Sequence, residues 1–72
     1  NLSIKLGEWV ISSALAQIKQ WHDDGLSFTI SVNISAYQLT QSDFPERLAL
    51  LLHQHADVDS NLLELEILEA AA

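Results

Sequence analysis

Two stretches of strict alternation, separated by a helical repeat, constrain this chain more than anything else in it. Ser27-Phe28-Thr29-Ile30-Ser31-Val32-Asn33-Ile34 alternates polar and apolar over eight residues, and its Phe, Thr, Ile and Val favour the extended state. Within Leu62 to Leu68 the residues Leu63 to Ile67 alternate again, with Leu63, Leu65 and Ile67 on one side and Glu64 and Glu66 on the other. Between the two, Leu48, Leu51, Leu52 and His55 recur at i, i+3, i+4 and i+7. Ser42-Asp43-Phe44-Pro45-Glu46 precedes that repeat with an N-cap candidate, an early proline and an early acid, all helix-start signals. Asp57-Val58-Asp59-Ser60-Asn61 reads as the loop that follows. Strands joined through a helix run parallel, and the crossover is right-handed in nearly all cases.

A further helix is expected ahead of the first strand, from about Gly7 to His22. Ile11, Ala14, Leu15, Ile18 and Trp21 form its apolar stripe, broadened by Trp9 and Val10. It should stop near Asp23-Asp24-Gly25, with Gly25 supplying a left-handed residue. The element order is then helix, strand, helix, strand.

Strands with one apolar and one small polar face fit poorly into an open doubly wound sheet, whose strands are apolar on both faces. They suit a barrel, where the outward face packs on helices, the inward face fills the bore and functional groups gather at the C-terminal strand ends. The outward set would be Phe28, Ile30, Val32, Leu63, Leu65 and Ile67; the inward set Thr29, Ser31, Asn33, Glu64 and Glu66. A two-stranded parallel sheet is not a finished domain, so the expected fold class is α/β, a fragment of a (β/α)8 TIM-like barrel. Asn33 and Glu66 then fall at the C-terminal ends of neighbouring strands on one face. Paired strands lie roughly 5 Å apart, and an amide oxygen beside a carboxylate suits a hard cation.

Composition removes other classes. A chain of 72 residues is at most one small domain with a marginal core. The absence of cysteine excludes a disulfide framework and a thiolate zinc site. Three Lys/Arg against ten Asp/Glu, for a net charge of −7, is the wrong balance for tracking a DNA or RNA polymer. No run approaches the ~20 apolar residues of a membrane span, and no basic-then-apolar signal peptide opens the chain. An anionic substrate would need a cation other than Lys or Arg, and a divalent metal is the natural candidate.

Three segments carry a family resemblance. Ser31-Val32-Asn33-Ile34-Ser35-Ala36-Tyr37-Gln38-Leu39 resembles the S-V-N-L/I-S-A-x-Q-L segment of EAL domains, the bacterial cyclic di-GMP phosphodiesterases. Leu63-Glu64-Leu65-Glu66-Ile67-Leu68-Glu69 resembles their L-E-L-E-I/L-T-E strand, and Leu6-Gly7-Glu8-Trp9-Val10, followed by Gln17 and Trp21, resembles their preceding helix. The matches occur in the family's order and at compatible spacing, from Leu6 to Ala70. Residues 1–72 would accordingly be the early-middle part of an EAL barrel.

The resemblance implies a Mg2+- or Mn2+-dependent phosphodiesterase that converts cyclic di-GMP to linear pGpG. By position it makes Asn33 and Glu66 metal ligands and Glu69 a support for an active-site loop. Leu68 departs from the threonine most common in the family. The Glu-Ala-Leu strand, the paired aspartates, the catalytic lysine and a later metal-binding glutamate would lie outside this segment, so the fragment alone should be inactive. The resemblance further implies a cytoplasmic, homodimeric parent, with sensory or cyclase-like domains and an inner-membrane anchor as options beyond this chain.

Plainer roles stand beside these. An asparagine at a strand end is often a turn former, and Glu66 by itself would pass for a solvated edge residue. Ser35 and Gln38, in the loop after the first strand, either touch substrate or hydrogen-bond within the loop. Glu64 is read as structural, Trp9 and Trp21 as helix packing and His22 as a solvated helix end. His53 and His55, two apart on a helix, do not share a face and make no joint site. The alternative functions are a catalytically degenerate EAL-like receptor or interaction scaffold, and a purely structural element whose open strand edges self-associate.

Overall fold

A computed structural model describes residues 2–68 of the chain. The elements are α1 (Leu2–Asp23), β1 (Ile30–Ser35), α2 (Ala36–Leu39), α3 (Phe44–Gln54), a 3-10 turn (Ser60–Leu62) and β2 (Leu63–Leu68). The two strands form a parallel sheet, so the architecture is α/β with helices packed on one face.

The first helix ends as its sequence requires. Gly25 adopts φ +81°, its N–H donates to the His22 carbonyl (2.9 Å), and the Leu26 N–H donates to the Trp21 carbonyl (2.8 Å). This double bond pattern is a Schellman stop, which needs the left-handed residue that glycine adopts without a Cβ penalty. The other end differs from expectation. The helix begins at Leu2, which leaves Gly7 in its interior. Glycine weakens a helix interior by ~1 kcal/mol relative to alanine, so a helix through Gly7 points to a tertiary reason for that residue.

The first strand is shorter than its alternation. β1 begins at Ile30, not Ser27, because a strand extends only as far as its partner. Ile30 pairs with Leu63, and the residues just before Leu63 are wound into the 3-10 turn. Asp59 starts that turn by accepting a hydrogen bond from the Asn61 N–H (3.0 Å). Phe28, expected on the outward strand face, packs edge-on against Trp21 with ring centroids 5.4 Å apart and planes at 87°. Thr29 accordingly drops out of the inward set.

The core lies between α1 and the sheet and is closed by α3. Ile11, Ala14, Leu15, Val32 and Ile34 are buried, with Phe44, Leu48, Leu51, Leu52, Leu63 and Leu65 packed against them. Each fully buried aliphatic side chain contributes ~1.5–3 kcal/mol. Ile67, on the same side of β2, is 61% exposed, so the helices cover the outward face incompletely. Trp9 is 65% exposed; two positions from Ile11, it projects from the far side of α1 and does not broaden the buried stripe.

Polar contacts tie the helices together. Arg47 of α3 grips Glu8 of α1 with both ends of its guanidinium, Nε to Oε2 at 2.6 Å and Nη2 to Oε1 at 2.7 Å. Hydrogen bonding from Arg47, helped by its charge, holds the Glu8 carboxyl below its ordinary range against a smaller desolvation effect. Ser12 Oγ and His55 Nε2 share a hydrogen bond at 3.2 Å. Lys19 pairs with Asp23 (3.0 Å) in its own helix and reaches Asp57 (3.3 Å) after α3. Asp43 occupies the N-cap position of α3 without a side-chain capping bond. Among the described residues, no helix is long and apolar enough to cross a membrane.

Candidate functional site

The parallel register sets the geometry of the uncovered face. Ser31 lies opposite Glu64, Asn33 opposite Glu66 and Ser35 opposite Leu68. Successive side chains of a strand alternate between faces. The burial of Val32 and Ile34 on the helix side therefore turns Ser31, Asn33 and Ser35 to the other side, where all three are exposed. Glu64 and Glu66 are exposed as well. Asn33 and Glu66 are thus direct neighbours across the ladder, towards the C-terminal end of both strands, with backbones separated by roughly 5 Å.

This face is polar and partly paired within itself. Ser31 Oγ donates to Glu64 Oε2 at 3.1 Å, one rung before the Asn33–Glu66 pair. The donors assembled here are a carboxamide, two carboxylates and hydroxyls, all oxygen-bearing groups. Such a set fits a hard divalent cation, whereas zinc sites favour nitrogen and sulfur. Among the described residues, no three His, Asp or Glu side chains cluster as a metal site. Magnesium takes about six ligands in octahedral geometry, so Asn33 and Glu66 would be only part of any such shell. Two of the three cationic residues, Lys19 and Arg47, are already engaged in ion pairs of the helix layer.

The remaining candidate residues separate. The Ser35 hydroxyl accepts a hydrogen bond from the Gln38 N–H (3.1 Å) and so caps α2. Gln38 is 3% exposed. Its Nε2 donates to the Ile4 carbonyl of α1 (3.4 Å), so its side chain serves the α1–α2 contact. The burial follows from α2, a short helix that sequence patterning did not anticipate; it turns Gln38 back towards α1. Glu69 lies outside the described residues.

Two contacts had no local signal. The Glu8–Arg47 pair spans 39 positions and the Gln38–Ile4 bond 34. Gly7, expected at the start of the helix and found in its interior, gave no hint of either partner in the sequence alone.

Comparison with known proteins places the chain. It is 35% identical over 65 residues to "Cyclic di-GMP phosphodiesterase PA2567" of Pseudomonas aeruginosa, covering 90% of this chain and 11% of that protein. It is 32% identical over 73 aligned positions to "Cyclic di-GMP phosphodiesterase PdeR" of Escherichia coli, covering 96% of this chain and 11% of that protein. "Signaling protein YkoW" of Bacillus subtilis is 33% identical over 70 residues, covering 97% of this chain and 9% of that protein. The chain thus spans about a tenth of the length of these relatives. No solved structure matches it significantly. The family model for the EAL domain matches residues 1–72, the whole length over which the two strands and their polar face are laid out, and the chain belongs to the EAL domain family.

Proposed function

We propose that this chain forms part of a (β/α)8 barrel that hydrolyses cyclic di-GMP to linear pGpG, with Asn33 and Glu66 holding Mg2+ or Mn2+. The observation that carries this reading is the pairing of Asn33 with Glu66 across the ladder, oxygen donors on one exposed face near the strand ends. The relatives whose names specify cyclic di-GMP phosphodiesterase support the substrate.

A bound divalent cation would neutralise phosphodiester charge and lower the pKa of attacking water. The chain's own residues prepare that step. Asn33 presents a neutral carbonyl oxygen and Glu66 a charged one, so together they draw a cation while leaving it net positive towards phosphate. Ser31 holds Glu64 one rung below, which keeps a second carboxylate beside the pair. The barrel's remaining ligands and basic groups would come from beyond this segment.

Glu66→Ala in the full-length protein is the decisive experiment. Loss of a direct ligand should exceed the ~10–100-fold cost typical of residues that merely support one. Hydrolysis of cyclic di-GMP, followed by chromatography of the nucleotides, is expected to fall more than a hundredfold at unchanged far-ultraviolet circular dichroism. Wild-type turnover in that variant would overturn the assignment.

A further inference from the structure

We propose that Gln38 and Gly7 form a positioning contact that fixes the segment leaving β1, and through it the candidate cation ligand Asn33; this rests on the function proposed above. Gln38 is the buried residue of α2, 3% exposed, whereas Tyr37 beside it is 52% exposed. A four-residue helix does not hold itself in place, because helix nucleation is unfavourable and so short a run adds few bonds. Its position comes from what it touches. Gln38 supplies two ties at once: its backbone N–H donates to Ser35 Oγ at the end of β1 (3.1 Å), and its Nε2 donates to the Ile4 carbonyl of α1 (3.4 Å).

Gly7 makes that reach possible. A Cβ at position 7 would collide with Gln38 Oε1 and lie 2.8 Å from Cδ and 2.9 Å from Nε2. A side chain there would have to push the Gln38 carboxamide aside, so the carboxamide rests against bare helix backbone. The glycine that weakens α1 is thereby explained by a contact with the strand-end segment. Asn33 and Gln38 are joined by buried Ile34 and by Ser35, which both ends β1 and caps α2. Displacing Gln38 would release α2 and loosen the last rung of β1. Cation sites tolerate only ~0.5 Å of ligand displacement, so a contact outside the coordination shell can tune affinity. Gln38 is on this view a positioning residue.

The test is a double-mutant cycle in the full-length protein, with Gly7→Ala, Gln38→Ala and the pair combined. Mn2+ binding would be measured by electron paramagnetic resonance of the free ion, and amide hydrogen exchange would be followed over residues 36–41. Each single variant should weaken Mn2+ about three- to tenfold, below the ~10–100-fold of groups bonded directly to a ligand, and accelerate exchange in that segment. The double variant should be no worse than the weaker-binding single, because both changes remove one contact. Gln38→Ala opens space where Gly7→Ala fills it, so it decides the matter even if Gly7→Ala fails to fold. Unchanged Mn2+ affinity in Gln38→Ala, or effects that add in the double variant, would overturn the positioning contact. Glu66→Ala serves as reference: if it abolishes Mn2+ binding while Gln38→Ala does not weaken it, the site stands and the contact falls. If Glu66→Ala leaves binding intact, the site and the contact fall together.

Discussion

Val32 and Asn33 are consecutive residues of one strand, yet they belong to faces with opposite demands. On the helix side, Val32 and Ile34 are 4% and 1% exposed and meet the apolar stripes of α1 and α3. On the other side Ser31, Asn33, Ser35, Glu64 and Glu66 are exposed and carry oxygen donors. The two faces share a backbone and a register, so neither can shift without the other. A slip of one residue would bury Asn33 and expose Val32. The packed face therefore acts as the gauge that holds Asn33 opposite Glu66, and stability and chemistry should be separable by substitution.

The largest expected effect is on the packed face. Ile34→Ala removes a fully buried side chain and should cost about 2–5 kcal/mol, read from chemical denaturation of the protein that contains this segment. A loss below about 1 kcal/mol would mean that the helix side is not the core of this region. Asn33→Ala, one position away, should behave in the opposite manner. Its stability should stay within about 0.5 kcal/mol of wild type, as for exposed positions generally, while turnover falls more than about a hundredfold, as expected of a direct ligand. Equal damage to stability and turnover would erase the distinction between the faces.

A smaller effect is expected in acid. Hydrogen bonding from Arg47 lowers the Glu8 carboxyl below its ordinary value of 4.5. In this range the unfolded state takes up protons first, so the α1–α3 tie contributes fully above that value and is lost as pH falls through the folded one. Glu8→Gln should flatten the stability curve below pH 4.5 and leave its alkaline limb alone. An unchanged acid limb would show that the pair adds nothing. The smallest change should come from Ser31→Ala. It removes an exposed hydrogen bond to Glu64 and should shift stability by less than about 0.5 kcal/mol, without moving the β1–β2 register seen in backbone amide shifts.

Much of the fold was legible because its signals are local. The left-handed stop at Gly25, the apolar stripe of Ile11, Leu15 and Ile18, and the alternation through Val32 and Leu65 each depend on residues within a turn or two. Phe28 shows where such signals end. It continues a perfect alternation, but a strand needs a partner, and the 3-10 turn at Ser60–Leu62 denies it one. Trp21 then takes the ring instead. Gln38 followed the same course: it was expected to touch substrate or to hydrogen-bond within the loop, and the short α2 brings its side chain to α1, a contact local pattern does not specify.

Periodicity and punctuation in the sequence determined which residues could form each element and which face of each would be apolar, since these follow from backbone geometry repeated every two or 3.6 residues. The tertiary structure decided the rest. It set where β1 starts, why Gly7 lies inside a helix, which acid Arg47 grips and that Asn33 stands beside Glu66. Each of these joins residues some 30 positions or more apart, and no local preference specifies a partner at that distance. Only the packing of α1 and α3 on one side of the ladder brings them together.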